Sequence, residues 1–204
     1  MTTARGGQPG IVILAPDFLR PLLLPPEPKL PGSAATQAAV LLLLTPAPLP
    51  LTFLTLRSAD LPTHPGQISL PGGLIATNDA SIEATALREA KEETGLDPAC
   101  VELLGRLPQV VVALSGIAIT PVVGWTPQQP RLQPDPREVS EIIACPLDQV
   151  LQPARYRREQ LLRDGQRREF WVLDVQQHRV WGATAAILYS LACLSAVANG
   201  GASG

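Results

Sequence analysis

Charge is scarce in this chain. Asp, Glu, Lys and Arg make up 17% of its 204 residues and the formal net charge is -2, where an ordinary soluble domain carries about a quarter charged residues. The basic residues are scattered except between Arg155 and Arg168, so the broad positive field that a nucleic-acid duplex requires is missing, and a polynucleotide partner is excluded. Cysteine is nearly absent: Cys100, Cys145 and Cys193 are odd in number and far apart. None stands in a paired metal-ligand spacing, which fits a reduced, cytoplasmic protein. Long apolar runs are interrupted. "AAVLLLLTPAPLPLTFLTL" is broken by Pro46, Pro48 and Pro50 well short of the roughly 20 residues that span a bilayer, so a membrane partner is not expected. The N-terminus carries Arg5 but no compact apolar segment ending in a cleavage-type site, and no export signal is read there. Internal repeats are also missing. Aromatics amount to 4%, while hydrophobic residues as a whole reach 46%. That apolar content is ordinary, and a chain of this length supports one globular domain with a proper core.

Proline is the residue in excess, at 22 copies clustered over residues 21–50 and 127–136. Such stretches are connectors, since proline leaves helix interiors and central strands. Residues 1–35 are expected to form a proline-rich arm with at most a short helix around Phe18 to Leu24. A domain is expected over 36–198, and a frayed tail over 199–204. The apolar arm allows a homodimer without requiring one. Residues 37–45 and 51–57, joined by a proline turn, suggest a β-hairpin. "SLPGG" reads as a short strand running into two glycines. Residues 79–94, rich in Ala, Leu, Glu and Lys, predict a helix opened by Asp79 or Ser81 and closed by Gly95. Strands follow at 101–106, 109–114 and 117–124. "EVSEIIACPL" predicts a strand running into a short helix near Leu147 to Leu151. "REFWVLDV" alternates as a strand, and "GATAAILYSLACLSAVA" predicts a terminal helix. Many strands with two substantial helices define an α+β fold, a sheet sandwiched by helices.

The helix at 79–94 contains "REAKEETG", residues 88–95, with Glu89, Glu92 and Glu93 inside a wedge of roughly 100°. Like charges so placed repel, and the repulsion grows with burial. A divalent cation reverses the sign of that interaction, and an all-carboxylate oxygen donor set suits hard Mg²⁺ or Mn²⁺. The stripe alone leaves two readings open, a metal site or a solvated helix face with Arg88 and Glu92 as an ion pair. Gly72 and Gly73 just upstream let the backbone approach a ligand or offer a carbonyl to a metal.

A strand, a glycine pair, a loop and a carboxylate-striped helix resemble the signature of the Nudix hydrolases, which cleave diphosphates linked to another moiety. The second half of that signature is complete in "REAKEETGL", residues 88–96. The first half departs from it: Ala80 replaces the first glutamate, the glycine spacing is one residue longer, and Asp79 is the nearest carboxylate. The coenzyme A pyrophosphatase subgroup carries the same longer loop with Asp. "LTLRSADLPTHPGQISLPGG", residues 54–73, resembles that subgroup's upstream signature, and "RVWGATAAIL", residues 179–188, resembles its terminal helix. Pro62 and Leu70 differ from the Arg and Phe common there. The likeness runs from about residue 37 to 194.

The resemblance implies a Nudix-type α/β/α sandwich with a mixed central sheet. It implies a hydrolase that uses Mg²⁺ or Mn²⁺ to cut a small-molecule substrate, coenzyme A or a derivative, into 3′,5′-ADP and 4′-phosphopantetheine. Glu89, Glu92 and Glu93 with the Gly73 carbonyl would bind metal, and Arg88 would orient the glutamates. The general base would be a box glutamate or a later carboxylate, Glu138 or Glu141. Arg57, Ser58, His64 and Gln67 are candidates for substrate contact, with an exposed ion pair and a loop scaffold as the plainer alternatives for Arg57 and His64. Trp181 and Phe170 are read as core rather than as base-stacking platforms. The run Arg155, Arg157, Arg158, Arg163, Arg167 and Arg168 is read as a solvated hairpin, with a 3′-phosphate site as its alternative. Two other functions remain open: a Nudix hydrolase for ADP-ribose, dinucleotides or nucleoside triphosphates, and a Nudix-derived binding module without catalysis.

Overall fold

The computed structural model of the chain describes residues 16–26, 36–46, 48–163 and 165–200. Strand β1 (Gln37–Leu44) is an unbroken apolar run after Gln37 and is covered on both faces, the usual fate of a strand in a parallel pairing. It pairs in parallel with β7 (Ala118–Trp125) and antiparallel with β4 (Gly72–Leu74). With β5 (Glu102–Arg106) and the two-residue β6 (Val110–Val111) they form a mixed five-stranded sheet in the order β4-β1-β7-β5, β6 lying on β7.

Alternation along β1 divides the core. Ala39, Leu41 and Leu43 pack with Ile82, Ala86 and Ala90 of helix α2 (Ile82–Thr94). Leu42 and Leu44 pack with Ile187, Leu188, Leu191 and Ala192 of helix α4 (Ala183–Gly200). The expected α/β/α sandwich is therefore present, because successive side chains of a strand point to opposite faces.

Two smaller sheets flank it. One is β3-β2-β8 (Ile68–Ser69, Leu51–Arg57, Val139–Pro146) and the other β11-β10-β9 (His178–Trp181, Gln166–Val175, Tyr156–Arg163). The hairpin expected from residues 37–45 and 51–57 does not form. β1 and β2 are consecutive yet enter different sheets, linked at the turn by Thr45, whose N–H donates to the Leu51 carbonyl at 3.1 Å. Strands so apolar each need partners on both edges, and β1 takes β4 and β7 while β2 takes β3 and β8. The strand expected at 109–114 shrinks to Val110–Val111, and the rest of that segment is loop. α3 (Leu147–Val150) follows β8 directly, as expected.

The N-terminal segment is docked rather than free where it is described. A short α1 (Pro16–Leu19) runs into a 3-10 turn at Arg20–Leu22, so the helical stretch begins earlier than the sequence suggested. Leu19 is fully buried in the core on the α4 side. Leu24 and Arg106 exchange two backbone hydrogen bonds at 2.9 and 2.8 Å, and Arg106 Nη2 donates to the Pro25 carbonyl at 2.8 Å. Gly105 makes room: a Cβ there would lie 2.7 Å from the Leu24 oxygen. The edge of β5 is thereby covered, which removes an open template for strand pairing. Residues 1–15, 27–35 and 201–204 lie outside the described residues, and α4 itself continues to Gly200. Among the described residues no helix is long and apolar enough to cross a membrane, and the cysteines are free thiols.

Candidate active site

Helix α2 owes its position to its caps. Ser81 Oγ accepts from the Ala84 N–H at 3.1 Å, and Gly95 closes the helix in the left-handed region at φ 65°, a conformation that glycine adopts without a Cβ penalty. Asp79 is therefore not the N-cap. It sits in the loop before the helix, where Oδ2 accepts from the Ala76 N–H and the Thr85 hydroxyl, each at 2.8 Å.

Asp79 chiefly serves Arg88. Arg88 Nε donates to Oδ1 at 2.9 Å and Nη2 to Oδ2 at 3.0 Å, the two-pronged geometry of the strongest Arg–carboxylate pairs. The Arg88 guanidinium holds the Asp79 carboxyl far below the usual carboxylate range, while Asp79 in turn pushes Arg88 up. Held on that side, Arg88 directs Nη1 at Glu89 (2.8 Å) and Glu92 (3.0 Å). The carboxylate missing from position 80 is thus replaced by one at 79, which anchors the arginine that gathers two of the three glutamates.

The glutamates occupy three environments. The Glu92 side chain is 54% exposed, Glu89 is mostly covered, and Glu93 is 3% exposed. Glu93 accepts from the Gly72 N–H at 3.2 Å and faces Arg57 Nη1 at 3.8 Å. Burial nevertheless dominates and pushes its pKa up to about 7, against the lowering by Gly72 and Arg57. Burial also raises Glu89, with Arg88 opposing. Gly73 lies against Glu89 so closely that a Cβ would stand 2.5 Å from its carboxyl carbon.

Of the two later carboxylates the structure separates one from the other. Glu138 lies near enough to Glu89 and Glu93 to oppose the charging of both. Its loop is tied to α2, since the Asp135 N–H donates to the Glu93 carbonyl at 3.0 Å and the Glu138 N–H to the Asp135 carbonyl at 3.0 Å. Glu141 instead points toward His178, at 4.0 Å. The Ser58 N–H donates to the Glu138 carbonyl at 2.8 Å, and the Arg57 N–H to the Gln67 carbonyl at 3.0 Å. Arg57, Ser58, Gln67 and Glu138 therefore meet at one end of the second sheet. Arg57 Nε is buried and has no hydrogen-bond partner among the described residues. His64 stands apart at an exposed turn with φ 54°.

The oxygen donors fit a hard divalent ion in type: three carboxylates, one of them buried with a raised pKa, with Gly73 packed against Glu89. As the side chains stand, no three acidic, His or Cys side chains among the described residues are gathered at metal-holding geometry. Arg88 provides the countercharge to Glu89 and Glu92, and Arg57 to Glu93.

The basic run forms the expected hairpin of β9 and β10, with Arg157 on Asp174 at 2.5 Å, Arg158 on Glu169 at 3.0 Å, and Arg179 joining Glu159. Asp164, at its turn, lies outside the described residues, whereas Gly165 takes φ 72°. The reading of Trp181 as core is corrected: it is 41% exposed at the end of β11. Sequence reasoning missed the Arg57–Glu93 contact and the buried Glu83–Arg106 pair at 3.7 Å, since neither partner is near the other in the chain.

Known proteins resemble this chain over most of its length. The NUDIX domain family matches residues 35–165. The uncharacterized Nudix hydrolase NudL of Pectobacterium atrosepticum is 43% identical over 171 residues, covering 84% of this chain and 88% of that protein. The protein of the same name from Photorhabdus laumondii is 40% identical over 171 residues, covering 84% and 91%. Among solved structures, the Nudix hydrolase RenU of M. smegmatis is 27% identical with a TM-score of 0.45, covering 56% of this chain and 72% of that one. The chain belongs to the Nudix hydrolase family, whose members are pyrophosphohydrolases and generally use divalent metal ions.

Proposed function

We propose that this Nudix hydrolase cleaves the diphosphate of coenzyme A or its derivatives, yielding 3′,5′-ADP and 4′-phosphopantetheine, with Mg²⁺ or Mn²⁺ held by Glu89, Glu92, Glu93 and the Gly73 carbonyl. The observation that carries the metal site is the cradle of Gly73 against Glu89 beside a buried, reluctantly ionised Glu93. Arg88 and Arg57 offset part of the repulsion among these three acids, and a bound cation would offset the rest, most of all at the desolvated Glu93. The bound ion supplies Lewis acidity to the diphosphate oxygens and acidity to a water. Arg57, with an unpartnered buried Nε, supplies a donor for the diphosphate. Arg88 is a positioning residue, since its donors are spent on Asp79, Glu89, Glu92 and the Leu74 carbonyl. Glu138, which faces the glutamates from a loop tied to α2, accepts the proton of the attacking water, and Ser58 and Gln67 shape the same wall. His64 reaches the substrate only from its exposed turn.

Coenzyme A is favoured by the likeness of residues 54–73 to the pyrophosphatase subgroup. In this reading residues 36–198 make the catalytic domain of a cytoplasmic enzyme. Incubation with Mg²⁺ and a panel of coenzyme A, ADP-ribose, NADH and diadenosine polyphosphates tests it. Release of 3′,5′-ADP is expected. Turnover of ADP-ribose without coenzyme A would replace the substrate, and Glu92→Gln with unchanged turnover would remove the metal assignment.

A further inference from the structure

The three tryptophans meet three different surroundings. Trp125 is buried in β7. Trp171 carries Tyr189 stacked at 3.9 Å and the Arg158 guanidinium 4.6 Å from its centroid, which two groups of that size reach only from opposite faces. Trp181 is 41% exposed, and its one ring contact among the described residues is edge-on, to Phe170 at 5.7 Å and 64°. A single exposed apolar side chain needs no explanation. A tryptophan fixed by a second aromatic yet still 41% exposed is the kind of side chain on which flat ligands stack.

Its place in the fold ties it to the site. β11 packs against β3, and Thr184 Oγ1, three residues past Trp181, donates to the Ile68 carbonyl at 3.4 Å. On the other edge of β3, Ile68 pairs with Leu56, and the neighbouring Gln67 carbonyl receives the Arg57 N–H. Trp181 and Arg57 therefore flank the same short strand. The register Val172↔Trp181 puts Trp181 on the face of β10 that also bears Phe170 and Arg168, since residues two apart share a face. Arg157 and Arg179 are neutralised by Asp174 and Glu159. Among the described residues Arg168 bonds only to uncharged groups, the Ala113 carbonyl at 2.9 Å and Gln166 Oε1 at 3.4 Å, and its buried Nε has no partner.

We propose that Trp181, backed by Phe170, is the platform on which the purine base of the substrate stacks, and that Arg168 receives the phosphate on its ribose. The proposal rests on the reading of the site as a nucleoside-diphosphate hydrolase and deepens it, making Trp181 and Arg168 determinants of specificity rather than of the chemical step. An exposed indole accepts any purine, and an arginine without an acidic partner among the described residues favours a ribose that carries a phosphate.

Calorimetric titration of the full chain in Mg²⁺ with 3′,5′-ADP, 5′-AMP and inorganic pyrophosphate tests it. Trp181→Leu keeps apolar bulk without a π face and is expected to weaken both nucleotides by about 10- to 100-fold and leave pyrophosphate unchanged. Trp181→Phe is expected to bind nearly as the parent, and Arg168→Gln to bring 3′,5′-ADP down to the affinity of 5′-AMP. Trp181→Leu binding both nucleotides like the parent, or losing pyrophosphate equally, overturns the platform. Unchanged preference for 3′,5′-ADP in Arg168→Gln overturns the anchor. Should the parent hydrolyse no diphosphate, the catalytic reading falls, while the contrast between nucleotides and pyrophosphate still decides the platform.

Discussion

Replacing Glu93 by Gln separates the electrostatic cost of the site from its function. Glu93 is held almost without water, and burial raises its carboxyl from an ordinary 4.5 to about 7. In the unfolded chain it returns to the ordinary value, so the folded state binds the proton more tightly. Its contribution is then fully present below about pH 4.5, declines as pH rises toward 7, and is gone above that. A shift of about 2.5 units at 1.36 kcal/mol per unit is on the order of 3 kcal/mol. Glu93→Gln keeps an oxygen for the Gly72 N–H and carries no charge to desolvate. In EDTA, urea denaturation is expected to show the variant matching the parent near pH 4.5 and exceeding it by roughly 2–3 kcal/mol at pH 8, net of the Arg57 contact it loses. Added Mg²⁺ should stabilise the parent increasingly with pH and the variant little, and turnover should be lost. Parallel pH profiles for the two proteins in EDTA would refute the argument that Glu93 is ionised at a cost.

Two further substitutions test the packing around the site. Gly73→Ala places a methyl 2.5 Å from the Glu89 carboxyl carbon, displacing it from Arg88. A misplacement of that size costs on the order of 10²-fold in turnover, and kcat measured against an unchanged thermal midpoint checks it. Gly105→Ala drives a methyl into Leu24 and Leu23 and should cost about 1–3 kcal/mol as overpacking. Limited proteolysis should then cut within the arm while the hydrolase domain survives.

The helix at 82–94 was legible because its caps, its composition and its carboxylate stripe are all local. Asp79 and Ser81 are equally good caps in sequence, and Asp79 is drawn away by Arg88, nine residues on, together with the Ala76 N–H and the Thr85 hydroxyl. The same limit explains the lost hairpin. Residues 37–44 and 51–57 read alike as apolar strands, and nothing near them says that β1 pairs with β7, about 80 residues away. Glu138 and Glu141 were indistinguishable as candidates, since both are acids at the start of one strand, the first just before it and the second inside it. The Asp135 bond to the Glu93 carbonyl directs the first toward the glutamates, while Glu141 lies beside His178.

By itself the sequence determined the chemistry available: three carboxylates within one helical wedge, a glycine pair beside them, and an arginine and serine upstream in a recognisable order. Those are properties of residue type and short spacing, which the chain carries before it folds. The tertiary structure alone decided how each group is tuned. It buried Glu93 and left Glu92 in water, anchored Arg88 on Asp79, brought Arg57 and Glu138 to the same corner, and turned Trp181 outward. Burial and long-range contact depend on which strands become neighbours, and that is settled by the packing of the whole core.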